Sequence, residues 1–258
     1  MQSVGAIPDY GKAATDYGRH RQGIHPRLFQ ELAAMGIGVA GQEILDIGTG
    51  TGLTARVWAR AGANVTALDP SADMLAEAER GAAEEGLTIA HRHASAEQTG
   101  LPDGAFDVVS ASMCWHWFDR PAAAREAYRL LKPQGRLVIA HQDWLPRPGN
   151  VLELTLDTIH RWNKPPADRK WTFQYPDWLF DLTDAGFSDY RMLGFPAFVT
   201  YSHEAWAGRI VASAQIGPAL TPDQVAAFRA EFTGLMAERF PDPMEVEHRI
   251  FAIVLTRP

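Results

Sequence analysis

The sequence has little of several features that define common protein classes. It contains one cysteine, Cys114, among 258 residues, so no disulfide can form within the chain. No segment approaches the ~18 consecutive apolar residues of a membrane span. The first twenty residues also lack the apolar stretch of a secretion signal. These absences predict a cytosolic protein with no membrane partner.

Basic residues are in the minority as well. There are 24 Lys and Arg against 31 Asp and Glu, which gives a net charge of −7. No basic block of the kind that follows a phosphate backbone occurs, so we expect no nucleic-acid partner. No His/Cys cluster has the spacing of a metal site, and we expect no metal. The hydrophobic fraction of 46% is ordinary for a globular enzyme.

Apolar strand patterns alternate with amphipathic helix patterns from residue 43 onward, and several of the strands are apolar throughout, as in a parallel sheet covered on both faces. The pattern predicts a Rossmann-like α/β fold with a mostly parallel seven-stranded sheet, an antiparallel last strand and helices on both faces. The predicted strands are 43–47, 64–68, 88–92, 106–111, 136–140, 190–201 and 246–255. The predicted helices are 25–35, 53–61, 72–85, 121–131, 177–185 and a last one that opens at a capping box at Thr221 and ends near residue 239.

The chain reads as one domain, 1–258, with four parts. Residues 1–40 form an N-terminal arm and helix, residues 41–140 a cofactor-binding core, and residues 181–258 complete the sheet. Residues 141–180 are too long and too aromatic for a plain connection. We therefore predict that this segment is a helical lid over an acceptor pocket; its aromatic residues include Trp144, Trp162, Trp171 and Phe173.

A glycine-rich loop follows the first strand in the segment EILDIGTGTGLTARV, with glycines at 48, 50 and 52. Glycines permit a sharp turn and close approach of a ligand, and the N-terminus of the next helix is electropositive. The strict dinucleotide fingerprint would need a third glycine at Leu53, but a relaxed spacing that ends at Ala55 leaves a nicotinamide-dependent oxidoreductase open. Against that alternative, Asp46 would face a pyrophosphate.

Asp46-Ile-Gly48-Thr-Gly50-Thr-Gly52 resembles the first motif of the class I S-adenosylmethionine-dependent methyltransferases. Residues 44–140 as a whole look like the methyltransferase type 11 group, which acts on small molecules. That cofactor carries a sulfonium and an ammonium in place of phosphates, so a carboxylate at the loop attracts it. The resemblance implies cofactor contacts from Asp46, Gly48, Thr49 and Gly50.

The same resemblance extends to later segments. It implies that Asp69, after the second strand, binds the ribose hydroxyls, and that the turn after it packs on the adenine. Ser95 stands where an aspartate is more common, so the adenine contact there depends more on the backbone of Ala96. The further cofactor residues that the resemblance implies are Pro70, Met74, Glu97, Met113 and, in the arm, Tyr17 and Arg19.

Methyl transfer mainly requires alignment of two reactants and exclusion of water. A hydroxyl or ammonium acceptor must also lose a proton, and a histidine suits that role. His116 and His141 each follow a predicted strand and are equal candidates, although a packed or surface position would explain either one. Two interpretations are open for Trp115 and Trp117: their indole rings contact the ligand, or they pack in the core.

We therefore predict an S-adenosylmethionine-dependent methyltransferase that transfers a methyl group to O, N or C of a small-molecule acceptor by in-line displacement, as a monomer or homodimer. The alternatives are an NAD(P)-dependent oxidoreductase with a relaxed glycine loop and a non-catalytic cofactor-binding protein of the same fold. Basic residues near the predicted lid could bind a carboxylate of the acceptor: Arg147, Arg161, Lys164, Arg169 and Lys170.

Overall fold

The computed structural model describes residues 23–164, 177–213 and 215–258. Several residues singled out from the sequence lie outside these ranges: Tyr17, Arg19, Arg169, Lys170, Trp171 and Phe173.

The first half of the described chain alternates strands and helices as predicted. Helix α1 (Pro26–Ala34) precedes strand β1 (Glu43–Ile47), and the alternation continues through α2 (Leu53–Arg60), β2 (Asn64–Asp69), α3 (Ala72–Glu84), β3 (Ile89–His93), β4 (Phe106–Ser112) and α4 (Arg120–Leu130). A short 3₁₀ turn, Trp115–Trp117, lies between β4 and α4.

The second half departs from simple alternation. Strand β5 (Leu131–Trp144) is followed by α5 (Val151–Trp162), α6 (Asp177–Asp184), β6 (Asp189–Tyr201), α7 (His203–Val211), α8 (Pro222–Arg239) and β7 (Met244–Thr256). Helix α8 begins as predicted. Thr221 accepts a bond from the backbone N–H of Gln224, and Gln224 accepts one from the backbone N–H of Thr221.

The seven strands form one sheet in the order β3-β2-β1-β4-β5-β7-β6. The pairs among β1 to β5 are parallel, and β7 is antiparallel to both β5 and β6. This confirms the predicted fold class. Parallel order places the carboxyl ends of β1, β2 and β4 at one edge, which is where ligands bind in sheets of this kind.

Strand β5 is longer than predicted. The apolar run suggested an end at residue 140, but the strand continues to Trp144, which pairs with His248 of β7. At ~3.3 Å per residue, this extension reaches ~13 Å past the predicted strand end. Residues 141–144 therefore belong to the sheet, and the predicted lid segment can begin only after Trp144. The partner strand β7 supplies the hydrogen bonds that a lone-strand pattern could not reveal.

Three apolar clusters hold the molecule together. One face of the sheet packs on α1 and α2 through Leu28, Leu32 and Trp58. The opposite face packs on α4 and α6 through residues such as Ala127 and Leu182. The third cluster lies among α5, α7, α8 and the ends of the sheet that project past the carboxyl edge, and we call this region the cap. Its buried residues include Ile159, Trp206, Phe228, Phe232 and Val246. Within the described ranges, no helix has the length and apolarity that crossing a bilayer requires.

Candidate functional site

The glycine loop after β1 is tightly packed at Gly48 and has open space at Gly50. Gly48 and Gly50 both have positive φ, +64° and +55°, which residues with a Cβ rarely adopt. A Cβ at Gly48 would lie 2.9 Å from Sγ of Cys114 and 2.9 Å from Cζ of Phe118. A Cβ at Gly50 would meet no atom within 4 Å. The open space beside the loop is therefore at Gly50.

Asp46 lies beneath this loop rather than at its surface. It is 1% exposed, and its carboxylate accepts hydrogen bonds from Oγ1 of Thr49 at 2.7 Å and Oγ of Ser110 at 2.6 Å. Burial raises the pKa of Asp46 to about 6, against the lowering effect of the two hydroxyl bonds. The geometry makes Asp46 an internal support that fixes Thr49 in the loop; its direct contact with a ligand stays a prediction.

Asp69 connects the loop to the end of β2. Its Oδ2 accepts from the backbone N–H of Gly50 at 2.8 Å, and its Oδ1 accepts from the backbone N–H of Ser71 at 2.9 Å. Burial is the main cause that raises the pKa of Asp69, and the two backbone bonds oppose it. Each carboxylate oxygen keeps a further lone pair. The group can thus accept from two adjacent hydroxyls, as the predicted ribose contact requires.

The loops after β2 and β3 are held side by side. Nε2 of His93 donates to the carbonyl of Pro70 at 2.8 Å, and the N–H of Ala94 lies 3.3 Å from the carbonyl of Asp69. Ala96 is buried. The structure therefore brings the predicted ribose and adenine residues to one place.

Two other predicted cofactor residues have structural partners of their own. The carboxylate of Glu97 accepts from the backbone N–H of Asp119 at 3.0 Å and so fixes the start of α4. Met74 is 5% exposed, and its N–H donates to Oγ of Ser71, the residue that caps α3. For these two residues a ligand contact stays a prediction.

Met113 marks the end of β4. It has a positive φ of +62°, a rare conformation for a residue with a side chain that is found mostly where surrounding structure enforces it. Its N–H donates to the carbonyl of Ala140, and its Sδ lies 2.9 Å from the backbone N–H of Gln142. Met113 therefore joins β4 to the extended part of β5 at the carboxyl edge.

The aromatic run after β4 divides between core and surface. Trp115 is fully buried and packs edge-on against Phe118, with ring centroids 5.7 Å apart. Of the two interpretations left open for Trp115, the core position is therefore the one observed. Trp117 is half-buried, and His116 is exposed.

The two candidate bases lie next to each other. His141 is 1% exposed, on the extension of β5. Its ring lies 5.3 Å from the ring of His116 and 5.0 Å from the ring of Trp178, centroid to centroid. Its Nδ1 is 3.7 Å from Oδ1 of Asp143. Sequence reasoning missed Asp143 because it ended the strand at residue 140; the i, i+2 spacing of a longer strand was the available signal.

Two of the basic residues predicted to bind an acceptor carboxylate form ion pairs within the protein instead. Arg147 forms an ion pair with Glu247 at 2.9 Å, and Arg161 pairs with Glu231 at 2.7 Å. Lys164 is exposed. Across residues 23–164, 177–213 and 215–258, no three His, Cys, Asp or Glu side chains group as a metal site would require.

The first five strands of the sheet lie within or at the edge of a segment that matches a known family. Residues 45–139 match a family model described as a methyltransferase domain. An uncharacterized methyltransferase of Mycobacterium tuberculosis strain H37Rv is 34% identical over 161 residues, which cover 62% of each chain. A ubiquinone biosynthesis O-methyltransferase of Ruegeria pomeroyi is 34% identical over 159 residues, 60% of this chain and 64% of that protein. The chain thus spans less than two thirds of the length of these curated relatives.

Solved structures agree on the architecture. The YcgJ protein from Bacillus subtilis superposes with a TM-score of 0.59 at 19% identity, over 91% of this chain and 100% of that one. A Haemonchus contortus phosphoethanolamine N-methyltransferase, solved with phosphomonomethylethanolamine and S-adenosylhomocysteine, gives a TM-score of 0.58 at 17% identity, over 96% of this chain and 57% of that one. At these identities the likeness shows the fold alone.

Proposed function

We propose that the chain is a class I S-adenosylmethionine-dependent methyltransferase that methylates a small molecule on O, N or C, since residues 45–139 match a methyltransferase domain and the curated relatives at 34% identity are methyltransferases. The observation that carries the proposal is Asp69. One carboxylate holds both the glycine loop, through Gly50, and the start of α3, through Ser71. It does so beside the open space at Gly50.

The residues at the carboxyl edge fit an adenosyl cofactor with a positively charged amino-acid end. Asp69 would bind the ribose, the segment at Pro70, Ser95 and Ala96 would hold the adenine, and Met113 would lie beside the methionine part. The backbone of Gly48, Thr49 and Gly50 would hold the amino-acid end, supported by Asp46. Tyr17, Arg19, Met74 and Glu97 remain further candidates from the resemblance. When bound, S-adenosylmethionine supplies a methyl group on a sulfonium.

The chain itself must place the acceptor in line with that methyl group and, for a hydroxyl or ammonium acceptor, take a proton. We propose that His141 and His116 serve this step together. His141 lies inside the molecule, with its Nδ1 3.7 Å from a carboxylate oxygen of Asp143. The exposed ring of His116 lies 5.3 Å from the ring of His141 and can pass the proton to solvent. His141→Gln should lower kcat by ~10²-fold or more, while His116→Gln should have a smaller effect.

Cofactor binding is tested directly by calorimetry and thermal unfolding. S-adenosylmethionine and S-adenosylhomocysteine should bind and raise the melting temperature, because a ligand that binds only the folded state stabilises it. NAD should do neither. Stabilisation by NAD without stabilisation by the adenosyl compounds would replace the proposal with the oxidoreductase alternative.

Methyl transfer is tested with cofactor labelled in the methyl group and pools of small metabolites. Label should appear in a small-molecule product. Tight cofactor binding with no transfer to any pool would favour the non-catalytic alternative. Cytosolic location and a monomeric or homodimeric state stay predictions; light scattering on the purified protein measures the second.

A further inference from the structure

Arg209 is a cation inside the cap that lacks the usual partner. It lies on α7, one turn after Trp206, with its Cζ 5.9 Å from the Trp206 ring. Among the described residues no carboxylate forms an ion pair with it, and its buried Nε has no hydrogen-bond partner. Buried donors without partners are rare in native proteins, and each one calls for a physical explanation.

Other arginines of the same region show what a structural role looks like. Arg147 and Arg161 are more than half exposed, and each is paired with a glutamate. Arg209, by contrast, has no carboxylate partner among the described residues, and although the side chain is only partly buried, burial lowers the pKa of its guanidinium. Leaving a charge buried without a partner is costly for folding. An anion that arrives with a ligand would supply the missing interaction.

His248 lies close enough for its charge state to depend on Arg209. It is fully buried on β7, opposite Trp144, and its ring is 6.3 Å from that of Trp206. Its pKa is lowered to about 4, mainly by burial and also by the positive charge of Arg209, while the bond to Val246 and the charge of Asp143 oppose the change. At neutral pH His248 is therefore uncharged.

The tautomer of His248 follows from its one hydrogen bond. Its Nδ1 lies 2.9 Å from the carbonyl of Val246, and a carbonyl can only accept, so Nδ1 carries the hydrogen. Nε2 then presents a lone pair. It is buried and has no partner among the described residues. The cap thus offers one buried N–H of a cation and one buried acceptor nitrogen, both without a partner among the described residues.

The position of this pair relates it to the proposed methyl donor. Gln142 and Trp144 are two residues apart on β5 and so share one face of the strand. The N–H of Gln142 contacts Met113, and Trp144 pairs with His248. Two residues of strand span ~7 Å. The Arg209–His248 pair therefore lies one side-chain layer beyond Met113, and the ring of Trp144 lies 5.6 Å from that of Trp206.

We propose that the methyl acceptor is a small carboxylic acid whose carboxylate pairs with Arg209 and whose O–H or N–H donates to Nε2 of His248. A planar guanidinium binds a carboxylate through two parallel bonds. Because His248 is neutral, the pair presents a single positive charge, which suits a monoanion. The Trp144 and Trp206 rings suit an apolar body. This inference rests on the proposed function, since it names the substrate class of that site.

A bound carboxylate offsets the charge of Arg209, so the pKa of His248 rises when the acceptor is in place.

The experiment uses benzoate and acetate as anionic probes and benzamide as the neutral match of benzoate. Each is titrated into the full protein saturated with S-adenosylhomocysteine, and binding is followed through the His248 ring signals by NMR and by calorimetry. Benzoate should bind and raise the pKa of His248, and benzamide should not bind. Arg209→Met should weaken benzoate at least tenfold, Arg209→Lys less, and the paired surface variant Arg161→Met should match the wild type.

Two results would overturn the inference. One is equal binding of benzoate by wild type and Arg209→Met; the other is the absence of any shift of the His248 signals by either anion. An independent check needs no probe: in Arg209→Met the pKa of His248 should rise, because the nearby positive charge is gone. S-adenosylhomocysteine affinity should stay within about twofold in every variant. If the wild type fails to bind S-adenosylhomocysteine, the proposed function fails instead.

Discussion

Asp46 beneath the glycine loop is buried and Arg209 in the cap is partly buried, but the two charged side chains differ in their surroundings. The carboxylate of Asp46 receives two hydroxyl bonds, and that of Asp69 nearby receives two backbone bonds. In the cap, four buried side-chain atoms have no hydrogen-bond partner among the described residues. They belong to Arg209, Ser213, Gln215 and His248.

This difference shows that the hydrogen bonds of Asp46 and Asp69 are made within the protein, whereas several buried polar atoms of the cap lack a partner in the part of the chain that the structure describes. The loop and its carboxylates form a connected network that holds its shape without a ligand, as preorganised sites do. The cap contains buried polar groups that lack hydrogen-bond partners among the described residues. The family match ends at residue 139, so the cap lies outside the segment that this chain shares with the family model. The cap is therefore where a particular acceptor would be recognised.

The largest expected effect is on the loop side. Asp69→Ala removes the proposed acceptor for two ribose hydroxyls, and hydrogen bonds to a charged group contribute about 1.5–3 kcal/mol each. Affinity for S-adenosylmethionine should fall by ~10²-fold to ~10⁴-fold, measured by calorimetry. Asp73→Ala is the matched control, because it removes an exposed carboxylate four residues later. A fall of less than tenfold in Asp69→Ala would contradict the ribose assignment.

The cap should be sensitive to packing in its own cluster. Phe228 is fully buried and stacks on Phe232, with ring centroids 5.5 Å apart. Phe228→Ala should lower the free energy of unfolding by about 3–5 kcal/mol, with hydrogen exchange accelerated first in α5, α7 and α8. Phe180→Ala, at a residue 71% exposed, should change it by less than about 0.5 kcal/mol. Equal losses in the two variants would mean that the cap is not a packed unit.

Asp46 provides a test that depends on pH. Its pKa is about 6 in the fold, against an ordinary value of 3.8, so the native state holds the proton more tightly than the unfolded chain. The contribution of Asp46 to stability therefore declines as pH rises from about 4 to about 6, by roughly 3 kcal/mol. Urea unfolding of Asp46→Asn should lack this decline, so its stability relative to wild type should rise over that interval. The exposed variant Asp73→Asn should show no such trend, and a pH-independent difference for Asp46→Asn would contradict the assignment.

The smallest effects separate two glycines of the loop. Alanine at either position pays about 1–2 kcal/mol for a left-handed backbone. At Gly48 the new Cβ also meets Cys114 and Phe118 at 2.9 Å, which adds about 1–3 kcal/mol of overpacking. Gly48→Ala should therefore be the less stable variant. Gly50→Ala should be the weaker binder of S-adenosylmethionine, because its Cβ enters the open space. The reverse order in both measurements would place the cofactor elsewhere.

Much of the secondary structure and the loop could be predicted from the chain alone. The seven strands, the glycine turn, Asp69 at the end of β2 and the capping box at Thr221 all depend on local patterns of two to about ten residues. Residues 136–140 of β5 were predicted for the same reason, but the residues before them and the last four residues of the strand were not. His141 to Trp144 are polar or aromatic, and what makes them a strand is their pairing with residues 248–251 of β7.

The cap could not be predicted in the same way. Arg147 and Arg161 looked like acceptor residues in the sequence, but glutamates distant along the chain neutralise them. Arg209 looked ordinary, and only the packing of α7, through Trp206, against Tyr201 and His248 partly buries it. His116 and His141, separate candidates in the sequence, become neighbours because β4 and β5 are adjacent in the sheet.

By itself the sequence determined the sheet and the glycine loop, because periodicity and glycine positions act over short distances. The class of cofactor was predicted from the resemblance of that loop to a known family. The tertiary structure alone decided which charges are paired and which are buried without a partner. That distinction depends on contacts between residues far apart along the chain, such as Arg147 with Glu247, which are 100 positions apart. Pairing of a charge is a property of the assembled fold, and it separates Arg209 from Arg147 and Arg161.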